Sequence, residues 1–134
     1  MIMDILHVLI FMVANLLPAN VKECKMYDEQ NNILLFTLKQ NPDKKWVLEN
    51  NARDGREPKR TFEISPKTIE EINSETGIKN QHDLSMHLDI SKIKWKSTKK
   101  IVMKEPAQTF LIKREKNFVK IIKEGETNAL VIKY

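Results

Sequence analysis

Residues 5–14 of this 134-residue chain form an almost unbroken apolar run, and that run governs what the remainder can fold into. Through residue 17 the only polar side chains are Asp4, His7 and Asn15, and Pro18 then ends any helix. Such a segment must be covered by protein, cut away or placed in a membrane. It falls short of the roughly 20 apolar residues a spanning helix needs. Its start carries Asp4 and no Lys or Arg, whereas a secretory leader starts basic. None of the Asn residues begins an Asn-x-Ser/Thr site, and Cys24 has no second cysteine to pair with. The expectation is a buried N-terminal element, with Ile5, Leu9 and Val13 packing on a sheet. A cytoplasmic location follows from that reading. A signal peptide ending near Ala19, giving a secreted protein, and a membrane anchor in residues 1–17 are the alternatives.

After Pro18 the pattern predicts short strands separated by turn residues. Val21–Tyr27 and Ile33–Lys39 flank the polar stretch Asp28–Asn32 and read as a hairpin. Lys45–Glu49 and Arg60–Ile64 enclose the loop Asn50–Arg60, which holds Gly55, Pro58 and no large apolar residue. Ser65-Pro66 suits a helix start, Ile69 and Ile72 lie three apart, and Gly77 suits a helix stop. One central helix is therefore expected there, with a second short one over Asp83–Asp89. Lys92–Lys96 alternates strictly, placing Ile93 and Trp95 on one side and three lysines on the other. Lys100–Lys104, Phe110–Arg114, Phe118–Lys123 and Ala129–Tyr134 complete a meander. The expected class is α+β: a single domain over residues 1–134, predominantly antiparallel sheet, with an N-terminal helix and one central helix packed on it.

Charge is distributed unevenly. The chain carries a net +5, yet residues 1–90 sum to −3 and residues 91–134 to +8. Six lysines and no acid lie between Lys92 and Lys104. Lysine outnumbers arginine 19 to 4, and Lys, Ile and Asn make up 45 residues, a bias that A/T-rich codons would produce. Lysine contacts phosphate well but reproduces poorly the bidentate contacts by which arginine reads guanine. Any nucleic-acid binding should therefore be poorly selective for sequence.

The polyanion-binding candidates are Lys92, Lys94, Lys96, Lys99, Lys100 and Lys104. Alternate side chains of a strand stand about 6.6–7 Å apart, close to the phosphate spacing of a nucleic-acid strand. Arg53, Arg56 and Arg60, on the Gly-containing loop, would extend the same positive surface. Trp95 points away from the lysines on a regular strand, which counts against base stacking there. Other chemistry is thinly represented. His82 and His87 lie five apart and diverge on a helix, and Asp83 and His87 fit a surface ion pair. Residues 68–88 match a helix-turn-helix poorly, with Asn73 and Asp83 where small and aliphatic residues belong. Cys24 has no histidine beside it in sequence.

The sequence thus points to a small, basic, non-catalytic binding protein with no cofactor and no metal. Its partner would be nucleic acid or an acidic protein surface, met by a Lys-rich C-terminal β surface. A protein-interaction or inhibitor module, and an exported or membrane-tethered β-rich domain, are the alternatives.

Overall fold

The computed structural model describes residues 5–50, 59–73 and 75–134. The N-terminal run forms a helix, α1 (Ile5–Leu16). It ends where Leu17 N donates to Val13 O at 3.1 Å and Pro18 offers no N–H. Val8, Ile10, Phe11, Met12 and Val13 point to every side of the helix, and each is at most 1% exposed. A helix apolar on all sides has to be surrounded.

Ten antiparallel strands surround it: β1 (Glu23–Asp28), β2 (Ile33–Gln40), β3 (Trp46–Asn50), β4 (Arg60–Ile64), β5 (Thr68–Ile72), β6 (Lys79–Asp83), β7 (Lys100–Met103), β8 (Gln108–Arg114), β9 (Phe118–Lys123) and β10 (Ala129–Lys133). They form one sheet in the order β6-β5-β4-β3-β2-β1-β10-β9-β8-β7. Two meanders, β1–β6 and β7–β10, are joined where β1 pairs with β10. A bridge between Leu88 and Met103, with Lys104 N donating to His87 O at 2.7 Å, links the stretch after β6 to β7. The two edges of the sheet are thereby brought together. A barrel of about eight strands has an interior that side chains alone can fill. Ten strands enclose more space, and α1 occupies it.

The inward face follows the period of two. Cys24, Met26, Leu38, Leu48, Phe62, Ile69, Ile101, Phe110, Ile112, Val119, Ile121 and Ile132 share one core with the helix. His7 reaches β4, β5 and β6, whereas Val13, Leu16 and Leu17 lie against Val119 and Ile132 of β9 and β10. Leu9 is half-buried, and the side chain of Ile5 falls outside the described residues. The run is thus a buried helix. Among the described residues, no helix is long and apolar enough to cross a membrane.

Arg114 fixes the end of the helix. From the inward face of β8 its guanidinium donates to Leu16 O at 3.0 Å and also to Trp95 O. A cation at a helix C-terminus meets the negative end of the macrodipole. Arg114→Met would leave two carbonyls without their charged donor. It should lower unfolding free energy by about 2–3 kcal/mol, read from urea denaturation.

Three expected elements differ. The segment 65–77, expected as a helix, is the β5 hairpin arm and its turns, so α1 is the sole α-helix among the described residues. Ser65 N donates to Thr68 O at 2.9 Å, closing the β4–β5 turn. Asn73 Oδ1 accepts from Glu75 N and Thr76 N, and Gly77, at φ +71°, completes the β5–β6 turn. Signals for capping and stopping a helix serve a tight turn equally well. Asp83–Asp89 is the end of β6 followed by a single 3₁₀ turn, Leu84–Met86, capped by Asp83. This also removes the helix-turn-helix reading. Lys92–Lys96 is not a strand: a 3₁₀ turn, Ile90–Lys92, leads into a turn in which Ser97 N and Thr98 N both donate to Lys94 O. The alternation persists without pairing, since Ile93 and Trp95 are half-buried and Lys92, Lys94 and Lys96 exposed.

Candidate polyanion-binding face

The outward face of β7–β10 and β1 is built by register. On it Lys100 lies opposite Leu111, and Leu111 opposite Ile122. Lys113 lies opposite Lys120, Lys120 opposite Val131, and Val131 opposite Tyr27. Phe118 lies opposite Lys133, and Lys133 opposite Lys25. Five lysines thus share a face with Tyr27, Phe118, Leu111, Ile122 and Val131. Strands β7–β10 carry six basic residues and no carboxylate. Strands β4–β6 instead carry Glu63, Glu70, Glu71 and Asp83. The charge asymmetry of the sequence becomes two sides of one sheet.

Two lysine pairs, Lys113/Lys120 and Lys25/Lys133, stand directly across from each other. Like charges at such positions repel. Part of the repulsion is relieved locally. Lys120 Nζ lies 2.5 Å from Glu29 Oε2 and 5.9 Å from the Phe118 ring centroid, and Lys133 Nζ lies 4.7 Å above the Tyr27 ring. Lys25, Lys100 and Lys113 are exposed and have no ion pair among the described residues.

The lysines singled out in sequence are exposed, but they do not form one row. Lys92, Lys94 and Lys96 ride on turns, and Lys92 Nζ lies 3.4 Å from Asp89 Oδ2. Ser91 and then the Lys92 ammonium hold the Asp89 carboxyl below its ordinary range, with Lys104 contributing. A run free of acid in sequence therefore meets one in space. Lys100 alone of the set belongs to the outward sheet face. Arg53 and Arg56 lie outside the described residues.

Arg60 is on the opposite, inward face. Its Nε and Nη2 donate to Glu71 Oε1 and Oε2 at 2.6 and 3.0 Å, and its guanidinium lies 5.6 Å from the Phe62 ring centroid. Helix residue His7 donates from Nε2 to Glu71 Oε2 at 2.9 Å, and its ring centroid lies 4.5 Å from that of His82. Arg60 thus anchors β4 to β5, and Glu71 links that pair to α1. The Arg60 hydrogen bonds, aided by His7, hold Glu71 below the ordinary carboxylate range. Burial, and then His7, push His82 below the ordinary histidine range.

Lowered values for Glu71 and His82 mean that the unfolded chain binds more protons than the folded one. Stability therefore rises with pH. The His82 share is fully present above its unfolded value near 6.5 and is lost as pH falls toward its folded value. The Glu71 share is lost at lower pH, through its depressed carboxylate range. His82→Leu should flatten the dependence of the urea midpoint on pH just below about 6.5. An unaltered dependence would contradict this assignment.

Other candidates are structural. His87 Nδ1 sits 2.6 Å from the Glu105 carbonyl oxygen, and Asp83 accepts from Ser85. Cys24 is buried, and burial, then Glu23, pushes its thiol up to about 12, so it is not a thiolate nucleophile at neutral pH. Among the described residues no group of three or more His, Cys, Asp or Glu is placed to hold a metal ion.

Tyr27 and Lys25 join the face only because β1 meets β10 across about a hundred residues of chain, whereas Lys113, Lys120, Phe118 and Lys133 lie on consecutive strands and are separated in sequence by inward-facing residues and turns. The acid-free composition of the last four strands was the one available signal. No family model, curated protein or solved structure matches the chain.

Proposed function

We propose that this protein is a non-catalytic polyanion-binding protein whose outward β7–β10/β1 face contacts nucleic acid. The observation that carries this reading is the two cross-strand lysine pairs on the outward face, where β7–β10 carry no acid and the one outward carboxylate of β1, Glu23, lies 3.9 Å from Lys39 Nζ. A sheet that places like charges opposite each other is less stable than it could be. A line of phosphates would relieve that repulsion and release its own counterions. Lys92, Lys94, Lys96, Lys99 and Lys104 add exposed positive charge on the turns flanking β7. The same charge would attract an acidic protein surface, but half-buried aromatics between the lysines favour a partner with both phosphates and flat rings.

A ligand that binds only the folded state raises the melting temperature. At low salt, excess mixed-sequence oligonucleotide should raise Tm by several degrees, and added NaCl should abolish the shift. An unchanged Tm, together with undetectable binding by anisotropy at low salt, would refute the reading. Binding to an acidic polypeptide but to no oligonucleotide would transfer the face to a protein partner.

A further inference from the structure

Within the basic face lies a cleft of about 260 Å³, lined by Tyr27, Glu29, Asn32, Phe118, Lys120, Val131 and Lys133. Its volume lies just below the range of drug-sized ligand pockets. Its floor is Val131, which is 6% exposed, and Tyr27 and Phe118 contribute half-buried rings. Lys133 and Lys120 stand over those rings in cation–π contact. Glu29 and Asn32 supply hydrogen-bonding groups at the edge. The cleft thus combines an apolar floor, two aromatic rings and a polar rim inside a field of lysines.

The geometry points to this cleft as a receptor for one unpaired nucleobase of a single nucleic-acid strand. This inference rests on the polyanion reading above and names the form of nucleic acid. A base entering the cleft would displace the Lys133 ammonium from the Tyr27 ring, while Lys120 stays with Glu29. The Lys133 ammonium, with Lys25 and Lys113 on the same face, then meets the flanking phosphates. Glu29 would repel a phosphate placed directly against it. As an acceptor it suits the amino edge of a base instead, with its charge shared by Lys120. A duplex keeps its bases stacked and paired and can offer the cleft nothing but backbone. The cleft therefore discriminates single strand from duplex, whereas the surrounding lysines do not.

The test uses the full chain and a labelled mixed-sequence 12-nucleotide DNA, single-stranded and as its duplex, with anisotropy read at low salt. The wild type should bind the single strand more tightly. Tyr27→Leu with Phe118→Leu keeps apolar volume but removes stacking. It should weaken single-strand binding by roughly 5- to 150-fold per stacked base, leaving duplex affinity within about twofold. Lys25→Gln with Lys133→Gln should weaken both. Should the aromatic variant lose its cooperative melt, photocrosslinking of wild type to a 4-thiothymidine strand decides the matter. Adducts at Tyr27 or Phe118 support the cleft, and adducts confined to Trp95 or the 92–104 turns overturn it. Equal binding of strand and duplex, or a folded aromatic variant that binds as the wild type does, overturns the base receptor and leaves the polyanion reading standing. Lysine variants that bind both forms undiminished refute the polyanion reading.

Discussion

A chain lacking residues 1–17 should fail to fold cooperatively. Helix α1 contributes Val8, Ile10, Phe11, Met12 and Val13 to the shared core, all at most 1% exposed. Each such side chain is worth about 1.5–3 kcal/mol when fully buried. A protein of this size has about 5–15 kcal/mol of net stability, comparable to the loss these five imply together. Removing α1 would also open the sheet's interior, exposing Leu38, Phe62, Ile69, Ile101 and Ile112 to water, and leave the inward pair Arg60–Glu71 without His7. The truncated chain should bind a hydrophobic dye, keep some strand signal and show no sharp melt. Within the intact chain, Phe11→Ala should cost about 3–5 kcal/mol. Trp95, although it meets Phe11 edge-on at 5.7 Å, is only half-buried, so Trp95→Ala should cost less than Phe11→Ala. A truncated chain that melts cooperatively at the unchanged temperature would show that the sheet does not need its helix.

The largest functional effect should come from the outward face. Lys25→Gln, Lys100→Gln, Lys113→Gln and Lys133→Gln together remove four exposed charges and leave Lys120 with Glu29. The salt slope should shrink by roughly 3 units, at about 0.7–0.9 per phosphate contact. Stability should move the other way. The Lys113/Lys120 pair loses one charge and the Lys25/Lys133 pair loses both, which should stabilise by about 0.2–1 kcal/mol per pair. Weaker binding with equal or higher stability separates a functional charge from a structural one. Lys94→Gln, Lys96→Gln and Lys99→Gln serve as the comparison. Those residues are exposed on turns, and their loss should reduce affinity less than loss of the face does.

Much of the strand framework was legible because strands announce themselves locally. Ile33–Gln40, Phe118–Lys123 and Ala129–Lys133 are short apolar runs bounded by turn residues, and the period of two places their side chains. The N-terminal run was legible as buried because nothing else could solvate it. The central hairpin was not, because Ile69 and Ile72 fit a helical spacing as readily as Ile69 and Glu71 fit a strand. The strand reading wins through tertiary pairing: Ile69 lies opposite Ile64 on one side and His82 on the other. In sequence Arg60 resembles a loop cation because its partner, Glu71, sits on the next strand, whose Ile69 and Ile72 also fit a helical spacing. The basic face was only half legible. Its net charge is visible in the last 44 residues, but Lys25 and Tyr27 join it through β1–β10 pairing, which no local window contains. A lysine-rich turn segment stood out in sequence because its charges are contiguous, whereas a binding face needs charges that are contiguous in space.

The role of the outward face is read most directly from the salt dependence of oligonucleotide binding by the wild type and by the variant lacking Lys25, Lys100, Lys113 and Lys133. The wild type should bind measurably at low salt, with a linear fall of log affinity with log salt, and the variant's slope should be smaller by roughly 3. No wild-type binding at low salt, or the same slope in both proteins, would contradict that role.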